Sequence, residues 1–554
     1  MPEPGVVLPL CSGKDLMHRH SRIRALVAVS AASLALGGLA VLPAQATARA
    51  AAPTAARATS SDQAAVWLAA QLTDGVIHND QYDDIGLTID TGLAADAIGE
   101  AGAVSTIANG VAGQVAGYVG DGTTESYAGA LGKAATFAEI AGRDPRAFGG
   151  VDLIGRLEAR VTGSGAAAGR IVDQSQYGDY ANVIGQAFAV QALSGASSAS
   201  AASALAFLLK QQCDAGYFRL NFSAAGAAAQ DCDGSAAADA KPSVDATATV
   251  LRVLLSLDTF DDAVNASIDA AIVWLEKQQY ADGSFGSDDQ IVTENANSTG
   301  LAGWALGLAQ ERKPARRAAE WLRAHQVANA GACVSYATAD TGAIAYDDAA
   351  LADLAGKKIT AETQDQFRRA TAQALPALQY ARPRGDIVAP FTAEYVKAGT
   401  QQIIVVRNAA PGELVCLSTQ DGSDAVARRA NKIGGAKAGF KLPKTTGRTV
   451  ILVSTVDGLA DKVTIKALGE TTFEVTAKRT VARGGLQSVV VTGLAPAETL
   501  GLSVGGRLVK SGQANAKGVY RTTYRVTGAP GRTRLLVTGA FSGRQGTATY
   551  TVTR

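Results

Sequence analysis

The sequence predicts a multidomain protein with an all-α front half made of six helix hairpins and an all-β rear half made of two sandwiches. Three observations predict it. Up to about residue 385 the chain is rich in Ala and Leu at helical spacing, and beyond Pro383 it changes to short Val, Ile and Thr runs broken by Gly and Pro. Within the front half, one order of helix, loop and small-residue helix recurs. A chain of 554 residues is also too long for a single core.

The first element is a targeting segment. Lys14, Arg19, Arg22 and Arg24 precede an apolar run over residues 25–42, and Ala44-Gln45-Ala46 supplies the small residues that signal peptidase accepts. Residues 1–46 are therefore expected to be a signal peptide cleaved after Ala46, with residues 47–60 as a linker. The run is weakly hydrophobic for a spanning helix, and no later stretch approaches the ~20 apolar residues a bilayer crossing needs. No membrane span is expected after cleavage, and the product is expected to be secreted, with cell-wall association as a further possibility. Composition is that of a folded protein, 47% hydrophobic and 18% charged. The net charge of +1 becomes about −1 once the four basic and two acidic residues of the leader are gone, which argues against a nucleic-acid or membrane-surface partner.

Of the five cysteines, Cys11 lies in the leader. The other four, an even number in an exported chain, favour disulfides. Cys213 and Cys232 flank a short loop and are expected to pair; Cys333 with Cys416 is the accompanying expectation and would tie the two halves together. His78 and His325 are the histidines left after the leader, which excludes a His-rich metal centre. Neither a metal nor a cofactor is expected.

Residues 61–382 carry the repeats. The best copy is Ala271-Ile-Val-Trp274-Leu-Glu-Lys-Gln278-Gln279-Tyr-Ala-Asp282-Gly283-Ser-Phe285-Gly286, followed by a second helix from Asn297-Ser-Thr-Gly-Leu-Ala-Gly-Trp304. First helices of the pairs are expected near 67–68, 111–119, 153–161, 207–212, 274–279 and 321–326. Their partners begin near Asp90, Glu125, Tyr180, Asp245, Asn297 and Tyr346, and a last helix near 364–378 would plug or cap the array. Ala and Gly fill the second helices, which suits an inner ring. Trp67, Trp274 and Trp321 recur near the ends of first helices, where large aromatics fill the layers between repeats.

The stretches Trp274-Leu-Glu-Lys-Gln-Gln-Tyr-Ala-Asp-Gly-Ser-Phe-Gly286 and Phe207-Leu-Leu-Lys-Gln-Gln-Cys-Asp-Ala-Gly-Tyr-Phe218 resemble the repeat of squalene cyclases and prenyltransferase β-subunits. The resemblance covers roughly residues 60–380 and is to a secreted actinobacterial form of that repeat protein. It implies an (α/α)6 toroid whose central cavity opens at one end and is lined by residues at the N-termini of the inner helices. The same architecture serves lipid cyclases, protein prenylation, thioester proteins and cobalamin carriers, so it speaks for fold rather than activity. The D-x-D-D motif of class II terpene cyclases is absent, Asp80-Gln-Tyr-Asp83-Asp84 having one residue too many, and so are a D-D-x-x-D run and the Asp, Cys and His zinc site of prenyltransferases. No G-x-S-x-G elbow, H-E-x-x-H pair or phosphate-binding glycine loop with Lys replaces them.

Candidate ligand contacts fall at the expected starts of the inner helices: Asp90, Thr91, Tyr127, Tyr180, Asn182, Asp245, Thr247, Asn297, Thr299, Tyr346 and Asp347. The Asp, Asn and Thr members serve equally well as helix caps, worth about 1 kcal/mol each. The tyrosines are poor caps and pair an apolar ring with a hydrogen-bonding tip, which makes them the preferred contacts.

Behind the toroid, residues 387–469 and 470–554 each show several short strands at turn-separated spacing and fit immunoglobulin-like β-sandwiches. The segment Gly485-Leu-Gln-Ser-Val-Val-Val-Thr-Gly-Leu-Ala-Pro-Ala-Glu-Thr499 resembles the opening of bacterial Ig-like modules. Two function classes follow. One is a non-catalytic binding or envelope-associated protein whose toroid cavity holds a small molecule, glycan or cell-envelope protein. The other is an enzyme, an atypical terpene cyclase or a carbohydrate-active toroid, using carboxylates at the mouth such as Asp90 with Asp245 or Asp347.

Overall fold

A computed structural model describes residues 59–554 apart from 237, 238, 258, 260, 289, 290, 384 and 457. The expected signal peptide, and the linker up to residue 58, lie outside the described residues. In chain order the helices are α1 (Ser60–Ala69), α2 (Ile85–Ala97), α3 (Ala101–Val119), α4 (Ala128–Ile140), α5 (Leu153–Glu158), α6 (Val183–Gly195) and α7 (Ala201–Leu209). They continue as α8 (Val244–Ser256), α9 (Asp262–Gln278), α10 (Ala296–Leu308), α11 (Arg312–Ala324), α12 (Asp348–Asp353) and α13 (Ala361–Leu378). A small ladder of β1 (Leu72–Thr73) with β2 (Val76–Ile77) precedes α2.

Helices α2, α4, α6, α8, α10 and α13 pack each on the next, and α13 packs back on α2, so the six close into a circuit. The others stand outside it, α3 against α2 and α4, α5 against α4 and α6, α9 against α8 and α10, α11 against α10 and α13, and α1 against α13. Small residues allow the inner helices to touch at the backbone. A Cβ on Gly132 would lie 2.7 Å from Ala189 N, and one on Gly300 would lie 2.3 Å from Gln373 O. One apolar cluster runs from Val76 round to Ala318, and a second joins Trp67 and Leu68 to Trp321, Phe367 and Leu375 across the closure.

Two polar devices recur around the circuit. In the first turns of α2, α8 and α10, and midway along α13, a buried threonine hydroxyl accepts a backbone N–H of the segment that precedes its helix: Thr88 from Ile77, Thr247 from Phe218, Thr299 from Phe285 and Thr371 from Ile344, at 2.8–3.0 Å. At the ends of outer helices, a glutamine amide bridges one hairpin to the next: Gln212 donates to Gly216 O and Ser267 O, Gln279 to Gly283 O and Pro314 O, and Gln326 to Gly342 O and Ser60 O. The last of these joins the sixth outer position to the first. The glycines are required there: Gly283 has φ +109° and a Cβ would lie 2.4 Å from Arg317 O.

The structure corrects the sixth hairpin. The segment after Tyr346 forms only the short α12, which buries none of its residues. The helix expected as a plug is instead α13, the sixth inner helix, and it buries ten residues, among them Phe367, Ala370, Ala374 and Leu375. The reason lies in the apolar stripe, since α12 carries Asp348 and Asp353 where an inner helix needs small apolar residues.

The rear half holds β3 (Val396–Lys397), β4 (Gln401–Val406), β5 (Leu414–Thr419), β6 (Ala425–Arg429), β7 (Ala436–Lys441), β8 (Gly447–Thr455) and β9 (Gly458–Leu468). Then follow β10 (Thr471–Thr472), β11 (Glu474–Ala477), β12 (Thr480–Ala482), β13 (Leu486–Thr492), β14 (Thr499–Val504), β15 (Arg507–Gln513), β16 (Tyr520–Arg525), β17 (Gly531–Thr538) and β18 (Arg544–Thr553). The sheet β3-β9-β8-β5-β6 faces the pair β4-β7 across one core, to which Ile404, Phe440, Leu417, Ile451 and Ile465 contribute. The sheet β10-β18-β17-β14-β15, with β12 also on β18, faces β11-β13-β16 across another core.

These two units share a detailed turn. Ala410-Pro-Gly-Glu413 and Ala495-Pro-Ala-Glu498 each turn a glutamate back so that its carboxylate accepts the alanine N–H, at 2.7 and 2.8 Å. In both, an asparagine side chain further on, Asn431 or Asn515, caps a glycine-containing turn through its Oδ1. The same bonds thus occur in the same order in both units. Both expected disulfides are present, Cys213–Cys232 and Cys333–Cys416, and the second joins the loop after α11 to β5. No helix among the described residues is long and apolar enough to cross a membrane.

Candidate functional site

The inner circuit encloses a cavity of about 200 Å3 to which every one of its helices contributes. Asp90, Lys133, Phe188, Arg252, Trp304 and Gln373 mark its wall, one from each of α2, α4, α6, α8, α10 and α13. The placement follows from helix register. Asp90, Lys133, Phe188, Thr249 and Leu301 each stand five residues after the first residue of their helix, Ile85, Ala128, Val183, Val244 and Ala296. Leu93, Arg252 and Trp304 stand one turn further on, so equal offsets on equivalent helices converge on the axis.

The cavity is charged. Lys133 Nζ lies 2.7 Å from Asp90 Oδ1 and donates to Gly86 O at 3.0 Å. Burial works to lower the Lys133 pKa, but the Asp90 carboxylate and the Tyr118 hydroxyl outweigh it and hold the ammonium above the ordinary lysine range. Arg252 is 8% exposed, and its guanidinium carbon sits 4.7 Å from the centre of the Trp304 ring and 5.3 Å from that of Phe188. Burial pulls its pKa down to about 10, with Asp90 acting in the other direction, so it stays cationic at neutral pH.

Of the residues singled out from the sequence, Asp90 alone reaches this cavity. It lies in the second turn of α2, and the cap of that helix is Asp84, whose Oδ1 accepts the Leu87 N–H at 2.8 Å. Thr91, Thr247 and Thr299 are buried with their hydroxyls engaged by backbone, Thr91 donating to Leu87 O at 3.0 Å. Asn182 and Asp347 cap α6 and α12. Tyr127 stands at the start of α4 without a capping bond, and Tyr180 is 73% exposed. Tyr180 borders a groove of about 310 Å3 beside the Arg170–Asp179 ion pair.

Asp245, Tyr346 and Asn297 form a further group where α8 and α10 begin. Ser287 Oγ donates to Asp245 Oδ2 at 2.9 Å, and Tyr346 O accepts the Ala296 N–H at 2.7 Å. Asn297 lies half-buried in the first turn of α10, whose cap is Asn295. Burial raises the Asp245 pKa, the Ser298 and Ser287 hydroxyls opposing it, and burial followed by the charge of Asp245 raises that of Tyr346. The candidates thus occupy separate positions around the inner-helix starts.

Lys133, Phe188, Arg252 and Trp304 were missed because the site was sought at helix starts. A signal did exist: Arg252 in Val250-Leu-Arg-Val-Leu-Leu255 and Lys133 in Ala130-Leu-Gly-Lys-Ala-Ala135 are single charges inside apolar runs.

Near the other end of α4, burial of Glu139 against Gly195 raises its pKa from 4.5 to about 7. A folded value above the unfolded one means that this contribution is fully present below pH 4.5 and is lost as pH rises through about 7. The shift would correspond to about 3 kcal/mol if the group were fully buried, and solvent screening at a half-buried site reduces this to about 1–2 kcal/mol. Glu139→Gln is therefore expected to raise stability at pH 8 by that amount and to change little at pH 4. Denaturation midpoints across this range check it, and a pH-independent difference would refute it.

No family model and no curated protein matches the chain. Similar solved structures include a protein from Actinoplanes, 16% identical, covering 58% of this chain and 98% of that one with a TM-score of 0.40. Type II terpene cyclase MstE from Scytonema is 13% identical, covering 58% and 96% with a TM-score of 0.39. A glycosidase is 14% identical, covering 57% and 95% with a TM-score of 0.36. Likenesses at these scores carry no argument about activity.

Proposed function

We propose that the chain is an exported binding protein, an (α/α)6 toroid of the terpenoid-cyclase kind that holds a small ligand in its central cavity, followed by two immunoglobulin-like sandwiches that present it at the cell envelope. The observation that supports this reading is the composition of the cavity wall. Charged and aromatic side chains from separate helices meet in a concave space, the combination that small-molecule sites use for orientation and contact. Two disulfides suit an oxidising compartment outside the cytoplasm. The proposed domain limits are 61–382, 387–469 and 470–554. Tyr127, Tyr180, Asn182, Asp245, Asn297, Tyr346 and Asp347 are proposed to border the entrance.

Native mass spectrometry of the protein from its own culture supernatant is expected to reveal a stoichiometric bound mass. Leu301→Trp, which fills the cavity, should abolish it while the fold persists; a bare polypeptide in the wild type would count against the reading. Tyr180→Phe and Tyr346→Phe test the entrance, and unchanged affinity in both would remove it from the site.

A second reading rests on Asp245. Burial raises the pKa of its carboxyl, the direction a general acid needs, which fits an atypical terpene cyclase or a carbohydrate-active enzyme. Turnover that disappears in Asp245→Asn while ligand binding survives would favour it.

A further inference from the structure

The charges in the cavity do not balance. Asp90 and Lys133 neutralise one another at 2.7 Å. Arg252 is left over: among the described residues no carboxylate forms a salt bridge with it, and none of its N–H donors makes a hydrogen bond to another residue. Its contacts are the faces of Trp304 and Phe188, which hold the planar guanidinium in place without satisfying its donors. A buried cation without a counterion is costly, and an anion supplied from outside removes that cost.

We infer that the cavity takes a small organic carboxylate, its head paired with Arg252 and its apolar body against Leu93, Ile184 and Leu301. This inference rests on the cavity-binding reading and names its ligand class. A guanidinium offers a carboxylate two parallel N–H donors, and the aromatic faces on either side keep the fork oriented before the ligand arrives. With Asp90 and Lys133 paired, one cation is left to balance, which favours a monoanion over a polyphosphate.

The test compares benzoate with benzyl alcohol, which share a ring and differ in charge, by calorimetric titration of the full chain. Benzoate is expected to bind the wild type at least ~10-fold more tightly, that being the scale of a charge-assisted pair. Arg252→Gln should erase the preference, and Arg252→Lys should keep part of it, because an ammonium retains the charge but loses the fork. A melting curve for each variant establishes that it is folded. If Arg252→Gln fails to fold, the Arg252→Lys ratio decides, and a preference undiminished in that variant overturns the inference. Equal binding of both probes by the wild type overturns it while the cavity-binding reading stands. Binding of neither probe, with a neutral molecule found in the native spectrum, has the same meaning. Binding of neither, with a bare polypeptide in that spectrum, defeats both.

Discussion

Glu498→Ala is expected to destabilise the second sandwich by about 3–5 kcal/mol, the range found when one partner of a buried ion pair is removed. Glu498 is 1% exposed, and its oxygens accept from Arg544 Nε and Nη2, both at 2.6 Å, and from Ala495 N at 2.8 Å. Arg544 is 3% exposed, stacks 5.1 Å from the centre of the Phe473 ring and donates to Gly469 O, just before this unit begins. Without the glutamate, a guanidinium is left charged in the core with two of its donors unmade. Replacing both residues by methionine should therefore cost much less than the single change. Hydrogen exchange of β14, β17 and β18 in the full chain reads both effects; a double variant as damaged as the single one would show that packing, not the stranded charge, is responsible. The pair also has a pH signature. Burial pushes the Glu498 pKa up, but the Arg544 hydrogen bonds and two backbone N–H groups pull it below the ordinary range. A lowered folded value means that its contribution is present above pH 4.5 and is lost as pH falls through the folded value.

The Cys333–Cys416 bridge carries the other large expected effect. It closes a span of 83 residues, and the chain-entropy model assigns such a loop about 4–5 kcal/mol, of which measured bridges deliver about 2–5. Cys213–Cys232 closes only 19 residues, and the same model gives about 3 kcal/mol. Replacing Cys333 and Cys416 together by alanine should lower the melting temperature more than replacing Cys213 and Cys232. A reversed order would show that local packing, not loop length, governs these bridges. The longer bridge also fastens two bodies that meet closely: Gly412 approaches α11 so nearly that a Cβ would lie 2.7 Å from Glu320 O, and Gly331 would meet Ser454 Cβ at 2.9 Å. The first sandwich is thus expected to gain exchange in β5 and β8 when the bridge is lost.

Much of this architecture is local and so legible in the residues. The switch from helical spacing to alternating strands near residue 385 reflects which face each segment must bury. The hairpin copies announced themselves through Trp274, Gln279 and Gly283 because each has a task set by near neighbours: the indole fills a layer, the amide bridges to the next helix, and the glycine fits under it. The strand-rich character of the rear half was legible in its Val, Ile and Thr runs, whereas the Ala-Pro-x-Glu turn that occurs twice there is defined by hydrogen bonds that the residues alone do not announce.

The sequence by itself determined that a helical front half gives way to a strand-rich rear half and that Cys213 pairs with Cys232 across a short loop, because these depend on periodicity, turn chemistry and chain connectivity. Only the tertiary structure decided that α13 closes the circuit and that Asp90, Lys133, Arg252 and Trp304 share one space. A single charge on an apolar helix reads the same whether it faces a neighbour or an axis. Its surroundings are set by helices up to hundreds of residues away, and they come together only when the circuit closes.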